Sequence, residues 1–259
     1  MIRLRILSIL FFLSGLLVIS CSENAKNGMM PVTTDSALAL ELYETGLLAH
    51  DFLKTELAKH NLKLAIEEDP DFFMAHFWMY WMTSKDRKEL VEQALQTKAP
   101  LNETELEIKT ALRYIREGQS EKAVQHLRNA VALYPADPYV QRILYSYQFF
   151  YIKDLRAAVA SMREAIEHNP DYPLVYNLLG YALMDLDNFK DAEKAFDNYI
   201  RLVPDQGNPY DSKGDYYMAT GQYQNAYESY MKAVELDPHF TVSRKKAEKA
   251  LKMMEEPVE

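Results

Sequence analysis

Between Tyr139 and Phe240 the chain repeats one arrangement of large apolar, small and polar positions three times without a gap. Pro170, Pro204 and Pro238 stand 34 residues apart. Ahead of each proline, at fixed offsets, come Ala158, Ala192 and Ala226, then the large apolar Met162, Phe196 and Tyr230, and earlier in each copy the small Ser146, Gly180 and Gly214. A period of this length, with small residues at fixed places, predicts a stack of helix hairpins. Each copy reads as a first helix such as Leu174 to Met184, a polar turn over Asp185 to Asn188, and a second helix from Phe189 to Val203. Antiparallel helices approach closely where their crossing residues are small, which Gly180 and Ala192 supply. Tyr176, Leu179, Leu183 and Phe196 fill the space around that contact. Proline ends the second helix because it has no amide hydrogen and its ring clashes with the preceding turn.

This pattern resembles the tetratricopeptide repeat. In the copy at 173–206 the family's eight signature positions hold Tyr176, Leu179, Gly180, Leu183, Ala192, Phe196, Tyr199 and Pro204, with Tyr199 standing where the family prefers alanine. The copy at 207–240 offers Tyr210, Lys213, Gly214, Tyr217, Ala226, Tyr230, Ala233 and Pro238, with Lys213 the departure. The copy at 139–172 departs at Arg142 and Tyr145, then recovers with Ser146, Phe149, Ala158, Met162, Ala165 and Pro170. The resemblance implies an all-α fold, a right-handed α-solenoid of about six hairpins over 37–240.

Upstream, 37–72 aligns as a first repeat through Leu42, Gly46, Ala49, Ala58, Leu62 and Ala65. The unit at 73–101 is degenerate, with an aromatic-rich helix over Phe72 to Met82, a turn, and a short helix from Lys88 to Thr97. The pattern returns over 102–138, where Asn102 or Thr104 caps the first helix and Gly118 breaks the chain between the two arms. Pro135 and Pro170 are 35 residues apart, one more than the period, and the extra residue is expected in a turn. Residues 241–259 form a capping helix and tail, with Val242, Ala247, Ala250, Leu251 and Met254 on one stripe and a run of Lys and Arg on the remainder, read as a solvated face.

With eight glycines and eleven prolines in 259 residues, 48% of them hydrophobic, little room is left for strands and hairpins. The formal charge of -9 argues against nucleic acid as a partner, since phosphate binding needs concentrated Lys and Arg. Residues 1–20 read as a leader, with Arg3 and Arg5 ahead of an apolar run from Ile6 to Ile19 that is short for a membrane span. Val18-Ile19-Ser20-Cys21 resembles a bacterial lipobox. That resemblance implies that Cys21 is lipidated and becomes the mature N-terminus, so that the chain sits in the bacterial cell envelope. Membrane contact is then through the lipid anchor alone, at the outer membrane facing the periplasm. Residues 21–36 are read as the lipidated cysteine and a flexible tether, about 50 Å long if extended.

No stretch reads GxGxxG, P-loop, HExxH or GxSxG, and the six histidines are scattered. No catalytic residue, metal or cofactor is called. In the family, fixed places on the first helix of each repeat line a concave groove. Carried over residue by residue, the groove holds Ile143, Tyr147, Phe150 and Tyr151, then Asn177, Tyr181 and Met184, then Asp211 and Asp215. Its middle is aromatic and apolar and its far end acidic, which suits an extended or helical peptide with apolar anchors near Tyr147, Tyr151 and Tyr181 and a basic residue near Asp211 and Asp215. The Lys-Asn-Arg clamp of chaperone-tail binders is replaced by Tyr43, Leu47, Glu105 and Lys109. Two functions follow: a non-catalytic interaction scaffold for a protein or peptide partner, with envelope assembly as its setting, and as the alternative an enzyme or transport component whose site no local motif betrays.

Overall fold

The computed structural model describes residues 28–255. The leader and Cys21 lie outside the described residues. Among those described there are helices, turns and no strand. Six hairpins follow one another: α1 (Ala37–Asp51) with α2 (Thr55–Glu68), α3 (Phe73–Met82) with α4 (Arg87–Gln96), α5 (Glu103–Arg116) with α6 (Ser120–Leu133), α7 (Pro138–Ser146) with α8 (Leu155–His168), α9 (Pro173–Met184) with α10 (Phe189–Leu202), and α11 (Gly207–Ala219) with α12 (Tyr223–Leu236). Helix α13 (Thr241–Glu255) closes the stack by packing on α12.

The small positions do what the repeat pattern requires. A Cβ added at Gly180 would lie 2.6 Å from the Phe196 ring, and one at Gly214 would lie 2.5 Å from the Tyr230 ring. Both rings are buried and have nowhere to retreat, so an alanine there forces overpacking that outweighs its better helix propensity. Asn102 caps α5 in a closed capping box with Glu105. Gly118 turns between α5 and α6 at φ +73°, a backbone conformation glycine adopts without steric cost.

The extra residue before Pro170 is not in a turn. First helices begin at Pro138, Pro173 and Gly207, but the second helices begin at Leu155, Phe189 and Tyr223. The insertion therefore falls within the first arm of the fourth hairpin. There α7 continues into a π-helical stretch over Tyr147–Ile152, the wider turn that absorbs one residue without breaking the helix. Lys153 ends it at φ +59°. Its outcome is that Phe150 and Tyr151 stand out from the fold, 54% and 45% exposed.

Part of the stretch read as a tether is docked. Residues 28–36 form a strap held by the groups that cap the helices. Asp137 caps α7 with one carboxylate oxygen, taking Tyr139 N–H at 2.8 Å, and takes the strap's Met30 N–H on the other at 2.7 Å. Asn102 caps α5 with its side-chain oxygen and donates from its amide nitrogen to Pro31 C=O at 2.8 Å. Thr33 donates its N–H to Glu105 at 2.8 Å, and Thr34 donates its hydroxyl to Asp69 at 2.6 Å. Burial pushes the Glu105 and Asp137 carboxyls up, and the strap's donors pull them back. The strap stays down because it satisfies carboxylates that would otherwise be buried and underbonded.

Candidate functional site

The first hairpin does not simply begin the stack. Tyr43 and Leu47 of α1 belong to the same buried cluster as Val140, Ile143 and Tyr147 from the fourth hairpin. At its C-terminal end Asp51 reaches two hairpins at once. Arg142 of α7 donates from Nη1 to Asp51 at 2.6 Å and to the Tyr172 hydroxyl at 2.8 Å. The Tyr139 and Tyr172 hydroxyls donate to the same carboxylate at 2.8 and 2.9 Å. Arg142 is 4% exposed, and its guanidinium lies 4.7 Å from the Trp78 ring centre and 5.2 Å from that of Tyr139. Burial opposes its charge, but the oxygens of Tyr172 and Asp51 outweigh it and hold the guanidinium above its ordinary pKa. Arg142 is one of the departures from the repeat pattern, and this clamp is the reason: a cation here ties the first hairpin across the inner wall.

Beyond Asp51 the chain turns through Leu53 at φ +57°, in the place where a helix end normally uses glycine. Leu53 N–H and Lys54 N–H close the turn on His50 C=O and Ala49 C=O, both at 2.9 Å. The turn projects as a lip over the inner wall. On one side of Leu53 is a cavity of about 260 Å³ whose walls include His50, Trp81, Met82, Arg142, Phe150, Tyr151, Leu174, Asn177 and Leu178. On the other is a cleft of about 550 Å³ between Phe52–Lys54 and the turns Asp205–Asn208 and Leu236–Phe240. The first is mainly carbon. Burial, helped by the charge of Arg142, pushes the His50 imidazole down to about 3, so it is neutral near pH 7. Arg142 is already neutralised by Asp51.

The residues placed in the groove by resemblance do not share one surface. Ile143 and Tyr147 are core, 1% and 4% exposed, with the Tyr147 hydroxyl donating to Ser120 at 3.2 Å. Ile143 faces Tyr43 and Leu47 of α1 across a cavity of about 240 Å³, and Tyr147 lies between the Tyr151 ring and Ser120. Asp211 and Asp215 are taken by the capping helix: Lys246 bridges them at 2.8 Å to each, Ser243 donates to Asp211 at 2.6 Å, and Tyr181 and Tyr230 donate to Asp215 at 2.9 and 2.8 Å. A partner's basic residue would have to displace Lys246 to reach them. Met184 is half-buried against the core of the fifth hairpin. Phe150, Tyr151 and Asn177 remain, and the structure gathers all three on the cavity beside Leu53. Leu53 and His50 carry no signal for this site in the sequence, because nothing in the repeat pattern says that the first hairpin folds back over the fourth and fifth; Trp81 does, since it takes one of the groove places of the second hairpin and lines the cavity. The acid at Asp51 and the off-pattern cation at Arg142 were the available signal.

Among the described residues no group of His, Cys, Asp and Glu is arranged to hold a metal, and no helix is long and apolar enough to cross a membrane. Residues 153–212 and 208–240 each match a tetratricopeptide repeat family model. Over 93 residues the chain is 31% identical to small glutamine-rich tetratricopeptide repeat-containing protein 2 of Mycosarcoma maydis; the alignment covers 36% of this chain and 26% of that protein. The fold is similar to that of a thermophilic tetratricopeptide-repeat protein of Thermus thermophilus, with a TM-score of 0.54 at 17% identity over 82% of this chain and 98% of the other. It is also similar to a chain of the APC/C hetero-tetramer Cut9–Hcn1, with a TM-score of 0.53 at 17% identity over 82% of this chain and 42% of that one.

Proposed function

From a solenoid of tetratricopeptide repeats we propose a non-catalytic adaptor, one that holds a segment of a partner protein against the inner wall at the Leu53 lip. The observation that carries this is the pair Phe150 and Tyr151, large apolar side chains left exposed at the mouth of an apolar cavity. Exposed aromatics beside a concave, carbon-lined site are the usual form of a binding hot spot, because they offer much contact area for little entropy. Tyr151 is braced for the role. It stacks on Tyr147 at 5.7 Å and leans on Trp81 at 5.5 Å, with the Arg87 guanidinium 5.1 Å from its ring centre. Benzoylphenylalanine in place of Phe150, photolysed in the native envelope, is expected to give a discrete protein adduct, whereas the same group in place of Met231 on α12 is not. Equal adducts from both positions, or none from position 150, would defeat the assignment.

The reading extends to an anchor. Cys21, ending a leader of lipobox form, carries the lipid, and the chain works in the bacterial cell envelope, at the outer membrane facing the periplasm. Because Gly28 already belongs to the docked strap, the span from Cys21 to it is at most about 24 Å, shorter than a free tether would allow. The edge bearing Met30 and Asp137 is therefore kept close to the bilayer. Feeding cells an alkyne fatty acid should label the wild-type chain and leave Cys21→Ala unlabelled. Label retained in that variant would remove the anchor.

A further inference from the structure

The two cavities at the Leu53 lip are neighbours of unlike chemistry. Leu53 is a wall of both, and across the boundary the Asn177 amide nitrogen lies 3.4 Å from the Asn208 side-chain oxygen, Asn177 lining the first cavity and Asn208 the second. The first carries no net charge, since His50 is neutral and Arg142 is paired with Asp51. At about 260 Å³ it exceeds the 150 Å³ or so in which an apolar cavity admits benzene, so one bulky apolar side chain fits. The second is acidic. Asp205 and Asp237 face it against a single ammonium, Lys54. Asp205 is exposed and has no partner among the described residues, and Asp237 uses one oxygen to accept the His239 N–H at 3.0 Å, which leaves the other open. Further along the same stack, Lys246 shows how paired aspartates receive an ammonium, by lying at 2.8 Å from Asp211 and from Asp215.

We propose that this pair of cavities selects a peptide segment carrying a bulky apolar residue and, a few residues away, a lysine or arginine. The apolar side chain enters between Leu53, Trp81 and Tyr151, and the cation lies at Asp205 and Asp237. The inference rests on the inner wall being a protein-docking surface. It moves the acidic subsite from Asp211 and Asp215, which are closed by the chain's own lysine, to two carboxylates at the rim. The shared wall keeps the subsites adjacent, so an extended segment at about 3.3 Å per residue joins them within a few residues.

Selection of phage-displayed random dodecapeptides on the full chain in detergent tests the proposal. Enriched sequences are expected to pair an aromatic or large aliphatic residue with a nearby lysine or arginine. A synthetic peptide of that sequence should bind Asp205→Asn with Asp237→Asn about threefold to tenfold more weakly, and Lys54→Ala more tightly, with both effects shrinking at high salt. Enriched peptides that lack a basic residue, or affinities indifferent to these charge changes, overturn the proposal and leave the docking wall standing. Enriched peptides indifferent to Phe150→Ala, or no enrichment at all, overturn both.

Discussion

Replacing Arg142 by alanine should lower stability by about 3–5 kcal/mol, the cost of breaking one side of a buried ion pair. The guanidinium is 4% exposed and the Asp51 side chain 18% exposed, so neither charge is well served by water once its partner is gone. Alanine also removes the cation held near the rings of Trp78 and Tyr139 and leaves a cavity between them. The Tyr139 and Tyr172 hydroxyls would still donate to Asp51, which keeps the loss from being larger. Arg142→Met with Asp51→Asn should recover part of the deficit, since it removes both charges together and keeps some of the volume. Urea unfolding followed by the fluorescence of Trp78 and Trp81 measures the loss, and hydrogen exchange in α1 locates it. Because the pair joins the first hairpin to the fourth and fifth, exchange in α1 should accelerate before that in α10 or α12. A loss below about 1 kcal/mol would mean that the clamp is a surface pair in energetic terms.

The same residue shows how far the sequence could be read. The helix hairpins were legible almost to the residue, because the period of small and large positions is a direct image of how helices cross: Leu174 to Met184 and Phe189 to Val203 were expected, and Pro173–Met184 and Phe189–Leu202 are found. Whatever depends on contacts between distant repeats was not legible. Nothing local says that Asp51 meets Arg142 or that Tyr43 and Leu47 of α1 share a core with Ile143 and Tyr147. The strap at 28–36 looked like tether because it has no helical period, yet an extended segment needs none when helix caps supply its hydrogen bonds. The departures from the repeat carried the missing information. Arg142 and Lys213 both stand where an apolar residue is usual, and both are buried cations with carboxylate partners, Lys213 lying 2.7 Å from Asp197 and 3.3 Å from Glu193. At Arg142 the cation marks a contact with a distant hairpin, and at Lys213 a tie to α10 of the neighbouring one.

Phe150→Ala combined with Tyr151→Ala should cost about 100-fold or more in partner affinity while leaving the fold nearly untouched. Both side chains are about half exposed, and covering each would remove on the order of 100 Å² of apolar surface from water, about 2.5 kcal/mol apiece before the cost of ordering the partner. Two such terms sum to more than 100-fold even after a generous deduction, since a factor of ten is about 1.4 kcal/mol. Stability should move little, because neither residue belongs to the buried clusters. Tyr147→Ala supplies the contrast. At 4% exposed it is part of the core, so its loss should destabilise the fold by about 3–5 kcal/mol and weaken binding only indirectly, by way of unfolding and the lost brace under Tyr151. Affinity measured for the peptide selected on the wild-type chain, beside urea midpoints of all three proteins, separates the two behaviours. If the double variant kept wild-type affinity, the π-helical turn would be no more than the way this helix absorbs an extra residue, and the docking wall would have to be sought on another face of the stack.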